Sequence, residues 1–222
     1  FTPQPFGAFA PRCVGTAPTV WECPARLSDE EGAAFLIASH TAYQAVHRRG
    51  GVRAGETVLV LGAAGGVPSA AVQLAAAAGA RVIALAGGEA KVAFCRGLGA
   101  DVAIDSSAPD WDARVRDAAA PRGVDAIIDF VQGEPGRRAR PLLAVEGRHV
   151  MAGHAGGLLP VHPNEFYLQN WTLVGCCMGS GYGVRGLELE ETAHAHVMAL
   201  CAAGRYRATT TRVIEMREIP AA

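Results

Sequence analysis

The stretch from Thr57 to Ala78 constrains the chain most. Five apolar, β-favouring residues (Thr57–Leu61) run into Gly62-Ala63-Ala64-Gly65-Gly66-Val67, and a helix-forming, alanine-rich run, Ser69–Ala78, follows at once. A strand that turns at glycines straight into a helix is the start of a βαβ unit. At such a turn the backbone approaches a ligand closely, while the helix N-terminus offers unpaired N–H groups and the positive end of its dipole to a pyrophosphate. Against the pattern G-x-G-x-x-G, Ala63 and Pro68 stand at the first and last glycine positions. The strand–turn–helix context therefore carries the reading, and a glycine-rich turn that binds nothing is its rival. Proline costs little in a first helical turn, where its missing N–H would have no partner. The last glycine of the pattern normally allows close helix–strand packing, so Pro68 predicts a helix pushed outward and a weaker hold on the ligand.

The same rhythm repeats downstream. Strands are expected at Arg81–Ala86, Val102–Asp105, Asp125–Asp129, Gly147–Ala152 and Leu173–Cys177. Helices are expected at Glu89–Leu98, Asp110–Ala119, Glu134–Leu143 and Glu188–Ala203, with a turn at Pro160–Asn164. Upstream, Ser28-Asp29-Glu30-Glu31 forms a capping box that opens a helix running to about Arg49, before Gly50-Gly51. Near-continuous apolar strands alternating with helices predict an α/β class, a doubly wound parallel sheet with helices on both faces.

Composition narrows the function classes. Twenty basic and twenty-one acidic residues leave a formal charge of -1, which gives no electrostatic case for nucleic acid or an anionic membrane surface. The longest weakly polar run, Ala70–Ala80, contains Gln73 and falls short of a membrane span. Six cysteines without a C-x-x-C pair are read as reduced thiols of a cytoplasmic protein. The chain begins with Phe1 and not Met, which predicts a partial or trimmed polypeptide.

An acidic residue about 20 positions beyond the turn normally holds the ribose 2′-hydroxyl of NAD. Here the second strand ends at Ala86-Gly87-Gly88, and Glu89 suits a helix N-terminus instead. Lys91, one turn into that helix, is placed to reach a 2′-phosphate, which favours NADPH over NADH; a solvated helix lysine is the bland alternative. His154, His162 and the neighbouring pair Cys176-Cys177 read as structural, and His194 and His196 fall on different helix faces. No G-x-S-x-G, H-E-x-x-H or Walker motif occurs.

Taken in order, Thr41-Ala42-Tyr43, Arg53–Val60, Ala63-Ala64-Gly65-Gly66-Val67, Leu98-Gly99-Ala100-Asp101, Gly123-Val124-Asp125 and Pro163-Asn164 through Asn170 to Gly175 make the chain resemble a known family. This is the medium-chain dehydrogenase/reductase superfamily, in its zinc-independent quinone oxidoreductase (zeta-crystallin-like) branch. The resemblance implies a Rossmann fold with strand order 3-2-1-4-5-6 in residues 28–222. Residues 1–27 would be a remnant of the N-terminal catalytic (GroES-like) domain plus a connector, with Phe6–Val14 as its strand, and the chain would be truncated at both ends. It further implies NADPH-dependent hydride transfer to a quinone or activated enone, or, as alternatives, enoyl-thioester reduction or a non-catalytic nucleotide-binding module. Ala64, Gly65, Gly66 and Val67 would line the pyrophosphate and Lys91 the 2′-phosphate. Thr41, Val131, Gly153 and His154 would approach the nicotinamide, with the Thr41 hydroxyl as the orienting catalytic group. Ile37 replaces the cysteine ligand of zinc-dependent relatives, so no metal is expected, and a homodimer would pair through Leu173–Cys177. Two departures from the family pattern are Pro68 and Ser106, the latter where an adenine-stacking tyrosine is common.

Overall fold

The computed structural model describes residues 20–178, 184–215 and 217–218, so the expected strand at Phe6–Val14 lies outside the described residues. Helix α1 (Asp29–Tyr43) starts at the predicted capping box: Ser28 Oγ accepts from the Glu31 N–H at 3.3 Å, and the Glu31 carboxylate accepts from the Ser28 N–H at 2.9 Å. The helix runs on as a π-helical segment, Gln44–Arg49, and stops at Gly50. A Cβ there would collide with the Ala45 and Val46 carbonyl oxygens.

The remaining elements alternate as expected. They are β1 (Thr57–Leu61), α2 (Gly66–Ala77), β2 (Arg81–Ala86), α3 (Glu89–Gly97), β3 (Val102–Asp105), α4 (Trp111–Ala118), β4 (Val124–Asp129) and α5 (Gly133–Ala139). After a 3-10 turn, Arg140–Leu142, come β5 (Leu143–Met151), α6 (Asn164–Tyr167), β6 (Thr172–Gly175) and α7 (Val184–Ala202). Among the described residues the strands form one six-stranded sheet, β3-β2-β1-β4-β5-β6, and every neighbouring pair is parallel.

Alternation along each strand sends side chains to two cores. Val58, Val60, Val82, Ala84, Ala126, Ile128 and Val150 pack with residues of α1, α2, α3 and α7 on one face. Leu59, Leu61, Ile83, Leu85, Ile104 and Ile127 pack with Trp111 and Val115 of α4 and Ala139 of α5 on the other. Several residues that carried the family resemblance hold the amino end of the sheet together. The Asp125 carboxylate accepts from the Thr57 N–H at 2.7 Å, that of Asp101 from the Val82 N–H at 2.8 Å, and Glu56 pairs with Arg148 at 2.6 Å.

Four expectations are corrected. Strand β5 begins at Leu143, not Gly147, because Leu143 pairs with Val124 ahead of a register shift. The helix expected over Glu134–Leu143 ends at Ala139, and Arg140–Leu142 form a 3-10 turn ahead of β5. Strand β6 ends at Gly175, which pairs with Met151, the last residue of β5, so Cys176 is buried beyond the strand and Cys177 is exposed. Helix α7 begins at Val184, ahead of Glu188.

Candidate active site

The strand order reverses between β1 and β4, and in a sheet of this kind the crevice outside the carboxyl ends of those two strands is where ligands bind. Most of the expected site residues lie along that edge. Gly62 through Gly66 follow β1, Gly87 and Gly88 follow β2, Phe130 through Gly133 follow β4, and Ala152 through Gly156 follow β5.

The turn after β1 is built by its glycines. Gly62 has φ +69, and a Cβ on it would lie 2.8 Å from Val131 Cγ2, so the β1 and β4 loops touch through a site that only glycine fits. The Ala63 N–H donates to the Leu85 carbonyl at 2.9 Å and the Gly65 N–H to Gly62 at 3.0 Å, which folds the turn back on itself. Gly65 is the N-cap of α2, so the helix opens at Gly66 and leaves its first N–H groups without intrahelical partners. Gly65 and Gly66 are exposed, and nothing lies within 4 Å of where a Gly66 Cβ would stand. Open space in front of a helix N-terminus, at the switch point of the sheet, suits the pyrophosphate of a dinucleotide. Pro68 is the third residue of α2, buried, in a position whose N–H makes no intrahelical bond.

At the tip of β2, Gly88 has φ +86 and donates its N–H to the Asp105 carboxylate at 2.8 Å; the same oxygen takes the Ser107 N–H at 2.9 Å. These backbone donors hold the Asp105 carboxyl below its ordinary pKa. The sequence alone showed no carboxylate at this tip. The fold supplies one from the neighbouring strand, with one oxygen committed to the two loops. Lys91 is exposed on α3 beyond Gly88.

The β4 and β5 loops are tied to each other. The Gly156 N–H donates to the Val131 carbonyl at 2.7 Å, and the Ala152 N–H to that of Asp129 at 2.8 Å. A Cβ on Gly153 would lie 2.7 Å from the Phe130 oxygen, and one on Gly133 (φ +53) would overlap the Gly156 carbonyl. Val131, Gly153 and His154 are thus gathered in one compact corner, with His154 exposed. Beneath it the fully buried Asp129 accepts from His149 Nε2 at 2.8 Å through one oxygen, and from the Val131 and Gln132 N–H groups at 2.8 and 2.7 Å through the other. Asp129, Gln132 and His149 went unremarked in the sequence. The signal available was a carboxylate closing one apolar strand and a histidine embedded in the next.

Thr41 comes from a different element. It is half-buried on α1 and lines a small cleft with Leu36, Ile37, His40, Glu190 and Met178, the last lying just beyond the carboxyl end of β6. His194 and His196 do separate onto two faces of α7, and each meets a histidine of the helix opposite. His194 Nδ1 lies 3.2 Å from His40 Nε2, and the His196 ring lies 4.6 Å from that of His47. Among the described residues no helix is long and apolar enough to cross a membrane.

Known proteins share this fold. The family model for zinc-binding dehydrogenase matches residues 66–195. Quinone oxidoreductase-like protein 2 of Bos taurus is 30% identical over 216 residues, covering 96% of this chain and 62% of the bovine protein, so the chain spans less than two thirds of that relative. The quinone oxidoreductase from Thermus thermophilus, solved also in complex with NADPH, superposes with a TM-score of 0.85 at 30% identity, covering 98% of this chain and 69% of that one. CurK enoyl reductase superposes with a TM-score of 0.82 at 25% identity, covering 94% of this chain and 62% of that one.

Proposed function

The chain belongs to the zinc-binding dehydrogenase family, within the medium-chain dehydrogenase/reductase superfamily, and on that basis we propose that it is the cofactor-binding part of an NADPH-dependent reductase of quinones or activated enones. The observation that carries the proposal is the meeting, at the switch point of the sheet, of an open glycine turn at the start of α2 with the interlocked β4 and β5 loops. One end suits a pyrophosphate and the other a nicotinamide. When bound, the nicotinamide supplies or takes up the hydride. The chain's own work is to hold and orient it. The free N–H groups of Gly66 and Val67, with Ala64 and Gly65 lining the turn beside them, hold the pyrophosphate. Val131, Gly153 and His154 bound the nicotinamide end, and the Thr41 hydroxyl orients it from α1. Zinc takes no part in this reading, since Ile37 offers no ligand where zinc-dependent relatives carry cysteine. Residues 1–27 are read as the remnant of a catalytic (GroES-like) domain, the part that would wall the substrate cleft against water, with its connector, and 28–222 as the nucleotide domain of a cytoplasmic homodimer.

NADPH is preferred because Gly87 and Gly88 leave the β2 tip without a side-chain carboxylate of its own, and Lys91 is exposed one turn into α3. Removing one charge-assisted contact, Lys91→Ala, is expected to weaken NADPH by about tenfold and leave NADH within about twofold. Calorimetric titration of both nucleotides checks it, and equal losses would sink the 2′-phosphate assignment. Pro68→Gly is expected to tighten NADPH roughly fivefold, equivalent to about 1 kcal/mol, while lowering the melting temperature through loss of a buried ring. An unchanged dissociation constant would mean that the proline is neutral to binding.

The likeness to an enoyl reductase favours a second reading, reduction of a 2-enoyl thioester. Turnover of such a thioester with none of quinones would select it. Binding of NADPH with hydride transfer to neither acceptor would select a non-catalytic nucleotide module.

A further inference from the structure

Gln132 takes a backbone conformation, φ 56 and ψ −143, that residues other than glycine rarely adopt, and it does so between the two loops assigned to the nicotinamide end. Besides the Gly136 N–H that its carbonyl accepts at 3.0 Å, three hydrogen bonds tie it to Asp129 and to the segment after β5. Its N–H donates to the buried Asp129 carboxylate at 2.7 Å, its side-chain Nε2 donates to the Gly153 carbonyl at 2.6 Å, and its Oε1 accepts from the Leu159 N–H at 3.4 Å. The side chain therefore spans from the β4 loop to two points on the segment after β5. Glycine would accept the backbone conformation without strain but would supply neither side-chain bond, so the strain is tolerated together with a brace.

We infer that Gln132 is a positioning residue for the nicotinamide ring: its amide fixes the Gly153 peptide, and with it the corner formed by Val131, Gly153 and His154, in the orientation the ring requires. The inference rests on the proposed reading of that corner. The bond from Gln132 sets the direction of the Gly153 carbonyl, while Asp129 and His149 beneath keep the Val131 and Gln132 peptides from turning. Preorganisation of this kind acts on affinity for one half of the dinucleotide and leaves the other half alone. The pyrophosphate turn and Lys91 belong to the β1 and β2 loops, which Gln132 does not bridge.

The test is calorimetry on the whole chain with two probes: NADPH, and 2′-phospho-ADP-ribose, which lacks only the nicotinamide. Two variants are compared with wild type. Gln132→Gly relieves the backbone and deletes the brace. Gln132→Glu keeps the shape but sets a carboxylate oxygen against the Gly153 carbonyl. Both are expected to weaken NADPH by about tenfold and to leave 2′-phospho-ADP-ribose within about twofold. Equal losses for the two probes, or no loss for either, would overturn the positioning role alone. A wild-type chain that binds neither probe would overturn the cofactor reading, and the positioning role with it.

Discussion

Asp129→Ala is expected to lower the free energy of unfolding by about 3–5 kcal/mol, the range for removing one partner of a buried pair. Asp129 and His149 are both fully buried. The substitution strands the His149 ring nitrogen, whose companion Nδ1 is already buried without a hydrogen-bond partner, and it strands two backbone donors of the β4 loop. Each orphaned donor costs about 1–3 kcal/mol, and Gly136 backs the carboxylate so closely that a Cβ there would stand 2.6 Å from Oδ2. Asp129→Asn keeps one oxygen for the two N–H groups and exchanges the other for a donor facing His149, so a smaller loss, about 1–2 kcal/mol, is expected. Urea unfolding of the three proteins ranks them. An Ala variant within about 1 kcal/mol of wild type would show that the pair carries little of the loop's stability.

Acidification is expected to loosen the α1–α7 contact well before the carboxylates titrate. Burial, and next the neighbouring His194, lower the His40 pKa from 6.5 to about 4; burial, and next His196, lower that of His47 to about 4. Burial lowers His194 and His196 as well, despite Glu22 acting the other way on His194, while Arg205 adds to the effect on His196. Trp21, Phe35 and Tyr43 add rings that carry no charge to offset a proton, and Glu190 lines the cleft beside His40. In the folded state these histidines resist protonation, and in the unfolded chain they do not. The stability they contribute is thus complete above pH 6.5 and is lost as pH falls toward 4. For His40, which is 3% exposed, the loss by pH 5 comes to about 2 kcal/mol at 1.36 kcal/mol per unit; the half-buried His47 adds less, since water screens its charge. Glu31, Glu56, Asp105 and Asp112 have pKa values lowered by their hydrogen-bond partners, which keeps their titration below the interval from pH 7 to pH 5. Denaturation midpoints at pH 7 and pH 5 measure it. A His40→Gln/His47→Gln double variant should flatten the dependence, and an undiminished slope would refute the assignment.

The framework was legible residue by residue. Thr57–Leu61, Arg81–Ala86 and Val102–Asp105 are strands with the predicted bounds, because each is a short β-favouring run closed by glycine or serine, a signal carried by neighbouring residues. The capping box at Ser28 and the glycine turn at Gly62–Gly66 were legible for the same reason: their signals lie within a few residues. Long-range pairing set the rest. Strand β5 starts at Leu143 because Val124 is there to pair with it, and β6 ends where β5 runs out. The register that sets Ile127 opposite His149 places His149 and Asp129 on the same face, diagonal across two strands. That alignment, absent from either segment alone, creates the buried pair and the loop it supports. The Gln132 brace and the two histidine pairs arise in the same way. Periodicity records which face of an element is apolar, whereas the pairing of two buried polar groups depends on how distant elements are aligned, and only the folded chain contains that information.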